Sequence, residues 1–476
     1  MTMSVTTPRI GYDDLLKDVF RNRTAVAGER AIKKEEEVFL PPLPSMCCTT
    51  YGDDQNGYNV IRSNNVTLEG RASYNIYLSL AYFYGASGRT VDGLSGLIFS
   101  KSAVCEIPPA IEYLKTNSNG RGNSLRDSAK EAVKDAMITP RSGLLVDYPN
   151  TTGRVSILDE QARNLRPKIL HYPYESIINW HYSVQNNEQK LTLVVLREVQ
   201  EKVVRRFEIE QEYQYRVLEL IDNVYHQSLY SHAGEELQDQ TPILVNGLLS
   251  DSIPFYMIEV GAENKAIIND LVDANINHYR FFADYAAKEH SSAFPVFYET
   301  GVTGDDENII IGPNAKWSSV SVDAQFGVLQ TQSDGGSMRQ YLLDMENRMA
   351  ALGAEMLKPR IAGAESAEAK SLDQVAQNST TADVARTVSE AYTKAMNFCA
   401  RWLNAPEEVI YELNTDYNPK SMDAQMLTAL IAGWQGNAIS YDTFYENLQR
   451  GEIASTKRTV EEEKAMIVTD STGMNE

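Results

Sequence analysis

Apolar residues return at helical intervals in several stretches of the chain and alternate with polar ones in others. In "SYNIYLSLAYFYGASGRTVDGLSGLIF", Ile76, Leu80 and Phe83 share one face, and Gly85 and Gly88 read as the helix end. "SLRDSAKEAVKDAMITP" predicts a helix capped by Ser124, with Leu125, Ala129, Ala132, Val133 and Ala136 on one face and a stop before Pro140. Between these helices and Pro254 the pattern changes to period two. "GLLVDYP" (143–149), "LTLVVLREVQ" (191–200), "RRFEIEQEYQYRVLEL" (205–220) and "PILVNG" (242–247) read as strands. Phe207, Ile209, Tyr213, Tyr215 and Val217 fall largely on one side, so the expectation is an antiparallel sheet with one wet face. Residues 1–50 show a short helical pattern near Tyr12 to Phe20, a charged run "ERAIKKEEE" and the breaker "LPPLPS". They predict a loosely fixed arm.

After Pro254 the chain reads as mainly helical. Two long helices are expected over about 264–290 and 331–357, separated by the strand-like, turn-rich stretch 294–324. A third runs from about Thr380 to Leu403, with Val384, Val388, Ala391, Ala395, Phe398, Cys399 and Trp402 near the 3.6-residue period, and two or three short helices close the tail. The sum is an α+β fold.

Composition restricts what such a fold does. The 476 residues carry 44 Lys plus Arg against 65 Asp plus Glu, a net charge of −21. That excess repels phosphate over most of the surface, which disfavours gripping nucleic acid or an anionic membrane, yet suits a wall past which DNA slides. Cys47, Cys48, Cys105 and Cys399 have no metal-binding or disulfide-framework spacing and read as reduced thiols. No apolar run is long enough for a bilayer, and "MTMSVTTPRIGYDDLL" has no signal core, so the expectation is a chain made and kept in a cytoplasm during assembly, with no membrane.

Linear motifs for chemistry are missing. "GDDQNGYN" at 52–59 has the glycines of a phosphate loop, but Tyr58 and Asn59 stand where Lys and Ser or Thr are needed. "GASG" and "GLSG" are not hydrolase elbows and read as helix ends and turns. His171, His181, His226, His232, His278 and His290 never take metal-ligand spacing, and no cofactor or metal is expected. Asp53-Asp54, Asp305-Asp306-Glu307 and Glu461-Glu462-Glu463 read as solvated acids, with partner contact an alternative for 305–307. A binding or structural protein is favoured over an enzyme; a carboxylate-dependent enzyme without a linear motif stays open.

The order of "RTVDGLSGLIFSK", "GLLVDYP", "INDLVDANINHYRFFADY", "MRQYLLDMENRMAALGAEML" and "STTADVARTVSEAYTKAMNFCARWL" followed by "ELNTDY" resembles the portal proteins of tailed bacteriophages, of the shorter type. The resemblance covers the chain from about Arg71. It implies a portal-type subunit with an α+β wing, a two-helix stem, a small α/β clip and a helical crown, assembled as a ring of about twelve at one capsid vertex. Mapped onto this chain it implies an arm and start of the wing at 1–70, wing at 71–262, first stem helix at 263–293, clip at 294–326 and second stem helix at 327–357. A tunnel loop at 358–378, a returning helix and strand at 379–418 and a crown at 419–476 complete it. In the stem, Leu271, Tyr279, Phe282, Leu342, Met345 and Met349 would pack. Glu299, Asp305, Asp306 and Glu307 would meet partners at the clip, and Lys358, Arg360 and Lys370 would touch passing phosphates. Implied partners are the terminase large subunit, a head-tail adaptor, major capsid and scaffold proteins, and double-stranded DNA without sequence preference. The portal itself would do no catalysis. Another head-tail structural component is the remaining alternative.

Overall fold

The computed structural model describes residues 4–53, 59–66, 68–149, 165–185, 187–261, 264–293, 296–300, 325–329, 335–353, 367–415, 417, 424–451, 453–454 and 458–473. The chain divides into two compact units, Met1–Thr415 and Asp416–Glu476.

In the first unit the residues expected to form a loose arm instead build α1 (Tyr12–Ala27) and α2 (Glu29–Lys34), and α1 buries Tyr12, Val19, Asn22, Thr24 and Ala25. Sequence reading underrated α1 because two of its buried positions are polar and neutralised by specific partners. Asn22 Nδ2 donates to Ile138 O at 2.8 Å and to Asn269 Oδ1 at 2.6 Å, which gives the two N–H donors of an amide that periodicity counts as surface their partners inside the unit.

β1 (Cys47–Asp53) and β2 (Asn59–Val66) form an antiparallel pair. α3 (Leu68–Leu80) and α4 (Ala86–Ile98) follow; Gly85, at φ 64°, caps α4, whereas Gly88, Gly93 and Gly96 lie within the helix rather than at an end. Gly88 is there for close packing: a Cβ would come within 2.7 Å of Val26 O. β3 (Val104–Glu106) leads to α5 (Leu125–Ile138), which starts as predicted with Ser124 Oγ accepting from Asp127 N at 3.1 Å.

The strand block forms two antiparallel sheets. β4 (Ser142–Asp147) lies between β5 (Lys168–Tyr172) and β13 (Phe255–Ile258). The larger sheet has the order β10-β9-β8-β7-β6, built from β6 (Ile177–Gln185), β7 (Glu188–Arg205), β8 (Glu208–Ile221), β9 (Val224–Ser231) and β10 (Glu236–Pro242). β11 (Leu244–Val245) and β12 (Leu248–Leu249) make a two-residue hairpin beyond it.

The single wet face expected for this sheet is not what forms. Val194, Leu196 and Leu218 pack into one core with Leu145, Trp180, Tyr225 and Phe255, while the alternate residues Val195, Tyr215 and Val217 pack into another with Tyr12, Val19, Tyr174 and Ile178. α1 covers the second face, which is why the strands are apolar on both sides there. Where β7 and β8 run past their neighbours, the same face is bare.

The rest of the unit is α6 (Asn269–Ala293), β14 (Val296–Thr300), β15 (Gln325–Leu329), α7 (Gly336–Gly353), α8 (Ala367–Trp402) and β16 (Ile410–Glu412), the last pairing with β3. α8 begins at Ala367, so its first residues occupy part of the segment expected as a tunnel loop. From Val384 to Cys399 its periodic apolar face is buried, and Tyr392 is bonded to Ser128 at 2.7 Å. The second unit contains α9 (Ala424–Gln435), α10 (Tyr441–Arg450) and α11 (Val460–Gly473), with Ser440 capping α10. Its small core stacks Trp434 on Phe444 at 5.0 Å.

Candidate functional site

The candidate site is a two-legged arm made by α6 with β14 going out and β15 with α7 returning. The legs are antiparallel and stay in step along their length. A Cβ on Gly353 would stand 2.9 Å from Leu271; His278 Nε2 lies 3.5 Å from Glu346 Oε1; the Phe281 and Tyr341 rings are 4.5 Å apart; Lys288 Nζ reaches Met338 Sδ at 3.9 Å. Gly335 faces Glu289 and Tyr285, and the ladder from Val296 opposite Leu329 to Thr300 opposite Gln325 continues the same pairing. The two helices pair with each other, and the two strands pair with each other, in the same antiparallel sense. Glycine at 353 permits the tightest approach, since a Cβ there would also meet Thr90 Oγ1 at 2.6 Å.

The root of the arm is anchored in the unit by polar contacts. Ser87 donates its N–H and its hydroxyl to Asn275 Oδ1 at 3.1 and 3.0 Å, Arg280 Nε donates to Phe39 O at 2.9 Å, Arg21 pairs with Asp273 at 3.0 Å, and Tyr77 OH donates to Asp284 Oδ1 at 2.6 Å. Burial follows the same gradient. Asn269, Leu271, Val272, Asn275, Ile276, His278, Tyr279 and Ala283 are buried, while residues 284–289 are only half-buried. At the crossing, His278 is enclosed by Tyr84 and Phe282 with ring centroids at 5.5 and 6.3 Å. Burial pushes its imidazole down to about 4 and raises the Glu346 carboxyl, so the imidazole is neutral between the helices at neutral pH.

Of the residues expected to pack the stem, Leu271, Tyr279, Leu342, Met345 and Met349 are buried, and Phe282 is half-buried against Tyr82 at 5.7 Å. Leu352, three residues beyond Met349 on α7, is exposed. Glu299 is in β14 opposite Phe326, and Lys370 is in the first turn of α8. Asp305, Asp306, Glu307, Lys358 and Arg360 lie outside the described residues. Sequence reading missed the polar anchors Ser87, Asn22, His278 and Glu346.

Among the described residues no group of three His, Cys, Asp or Glu side chains could hold a metal, and no helix is long and apolar enough to cross a membrane. A cleft of about 1110 Å³ lies between α1, the turn at Val38 and Phe39, and α6. Three of its four carboxylates are ion-paired: Asp18 and Asp273 share Arg21, and Glu175 shares Arg23 with the buried Asp135 behind the cleft. These pairs tie α1 to α5 and α6.

A family described as a domain of unknown function (DUF4055) matches residues 268–403, which span α6 to α8. No curated protein matches the chain. Similar solved structures include a chain from the neck of a native GTA particle computed with C12 symmetry, 9% identical, with 77% of this chain and 90% of that chain covered and a TM-score of 0.38. A chain from the neck of an empty GTA particle computed with C6 symmetry is 10% identical, with 80% and 93% covered and a TM-score of 0.38.

Proposed function

We propose that the chain is the subunit of a portal ring, set at one vertex of a phage-like capsid, through which double-stranded DNA is packaged and ejected. The observation that carries this reading is the arm. An amphipathic helix of 25 residues is fixed at its root and packs against α7, and the arm keeps exposed apolar side chains on α6 (Phe281), on α7 (Tyr341, Leu343, Leu352) and on β14 (Tyr298). At about 1.5 Å per residue the helix spans roughly 37 Å, a suitable wall height for a channel. In a closed ring each arm has a neighbour on both sides, and unlike faces then meet head to tail.

In this reading the stretch between β14 and β15, with Glu299, Asp305, Asp306 and Glu307, docks the terminase motor and later the tail adaptor. Lys358, Arg360 and Lys370 give weak, salt-sensitive contacts to DNA in a tunnel whose net negative charge keeps the duplex off the wall. ATP hydrolysis belongs to the motor and not to this chain.

Negative-stain electron microscopy with mass photometry tests the proposal. Rings with an axial hole and a mass near twelve times 53.3 kDa support it. A monodisperse monomer across salt and concentration overturns it, and a substrate screen on the cleft beside α1 then becomes the next experiment.

A further inference from the structure

The arm is seated along a seam between the segment 83–90, which leads into α4, and the first turns of α6, the two running past each other in opposite directions. The Phe83 ring meets the Tyr279 ring edge-on at 5.8 Å, Tyr84 meets His278 at 5.5 Å, and Ser87 bonds Asn275. One turn further, Thr90 Oγ1 and Leu271 Cδ2 both lie within 3 Å of where a Cβ on Gly353 would stand. The seam is closed to solvent: Asn275 and Tyr279 have no exposed surface, and Thr90 and His278 keep 4% and 1%.

Buried polar groups are ordinarily hydrogen-bonded. Here several are not. Asn275 uses its side-chain oxygen for Ser87, and its Nδ2 has no hydrogen-bond partner among the described residues. The same holds for Thr90 Oγ1, Tyr279 OH and both ring nitrogens of His278, although Nε2 lies 3.5 Å from Glu346 Oε1. Other buried contacts of the unit are satisfied. Between α5 and α8 the Ser128 and Tyr392 hydroxyls bond each other at 2.7 Å, and where α3 meets α6 Tyr77 OH donates to Asp284 Oδ1 at 2.6 Å. At Thr90 the seam is also too tight for water, since a single methyl carbon added to Gly353 would come within 2.6 Å of Oγ1.

Two contributions of opposite sign therefore act on one surface. Burial of Leu271, Phe83 and the Tyr279 ring favours closure, whereas each orphan group has lost its water and gained no protein partner. A tilt of α6 away from α4 returns water to the orphans together, so closed and open seatings lie near each other in free energy. We infer that the α4–α6 seam is a strained joint, at which the arm pivots between this closed, dry seating and an open one in which water bonds Thr90, Asn275, His278 and Tyr279. The joint is a property of one chain and stands whether or not the ring forms.

Hydrogen exchange of the full chain, read by mass spectrometry with every variant at the same concentration and assembly state, tests it. Amides of 271–283 should exchange faster than those of 384–399 in α8, through an opening separate from unfolding of the unit. Equal protection of the two segments overturns the joint. Thr90→Val and Tyr279→Phe each remove a hydroxyl and change little else. Removing a buried hydroxyl that has no partner favours closure, so protection of 271–283 should rise at least about fivefold in each variant. Tyr77→Phe is the counterpart: it removes a hydroxyl bonded across the neighbouring contact and should lower protection of the same amides. If Thr90→Val and Tyr279→Phe lower the protection of 271–283 as Tyr77→Phe does, or leave it unchanged, the orphan groups are not a source of strain and the joint is overturned. Particle mass, which tests the ring, is read separately and decides nothing about the seam.

Discussion

Glu198 shows how a single buried charge is held in the five-stranded sheet. Its carboxylate accepts from Arg216 Nε at 2.7 Å, from Tyr172 OH at 2.6 Å and from Gln214 Nε2 at 2.7 Å, and both ion-pair partners are largely buried. Burial by itself would raise the carboxyl above its usual 4.5, but Arg216 and the hydrogen bonds outweigh it and the net shift is downward. Arg216→Met therefore leaves an uncompensated buried carboxylate and should cost about 3–5 kcal/mol at pH 7. In that variant the carboxyl titrates higher, so the deficit relative to wild type should shrink near pH 5; urea melts at both pH values check this, and a deficit that is flat with pH rules out the charge as its cause. His278 gives the complementary case. Its folded value of about 4 lies below the ordinary 6.5, so between these limits the unfolded chain binds more protons and stability falls as pH drops. Glu346, raised by burial, opposes part of that loss. His278→Phe, which keeps a ring between Tyr84 and Phe282, should flatten the stability profile between pH 6.5 and 4, measured by denaturant midpoints; an unchanged slope removes His278 as its source.

Among the elements, α5, α6, α7 and the second half of α8 were legible because one apolar stripe per helix meets one core. The Ser124 cap and the stop before Pro140 set α5 to within a residue. Elements whose burial depends on remote polar partners were not legible. α1 reads as a mixed helix until Ile138 O and Asn269 supply partners for Asn22, and α4 reads as broken until the tight approach of Val26 accounts for Gly88. The candidate site divides likewise: the α6 and α7 stripes were visible, whereas the contact of His278 with Glu346 joins residues whose spacing in sequence says nothing about it. The crossing of α7 over α4 and α6 gives the element-scale prediction. Gly353→Val places a branched side chain where Thr90 Oγ1 and Leu271 Cδ2 already stand within 3 Å of a Cβ, so the legs must part at the root. The expected cost is about 1–3 kcal/mol in a thermal or denaturant melt. Gly96→Ala in α4, where no atom lies within 4 Å of the added Cβ, should be neutral or stabilising and serves as the control.

At the scale of the whole molecule, the proposed ring would bring together 21 surplus negative charges from every subunit. That repulsion acts at long range and is screened over about 10 Å at 0.1 M salt, whereas the apolar faces of the arm would act in contact and be indifferent to it. The two contributions therefore separate with ionic strength. Assembly followed by mass photometry should strengthen from 0.02 M to 0.3 M salt as the mutual repulsion of the subunits is screened. If wild-type assembly instead weakens steadily as salt rises, local ion pairing dominates, and the uncovered apolar faces are not what holds the subunits together.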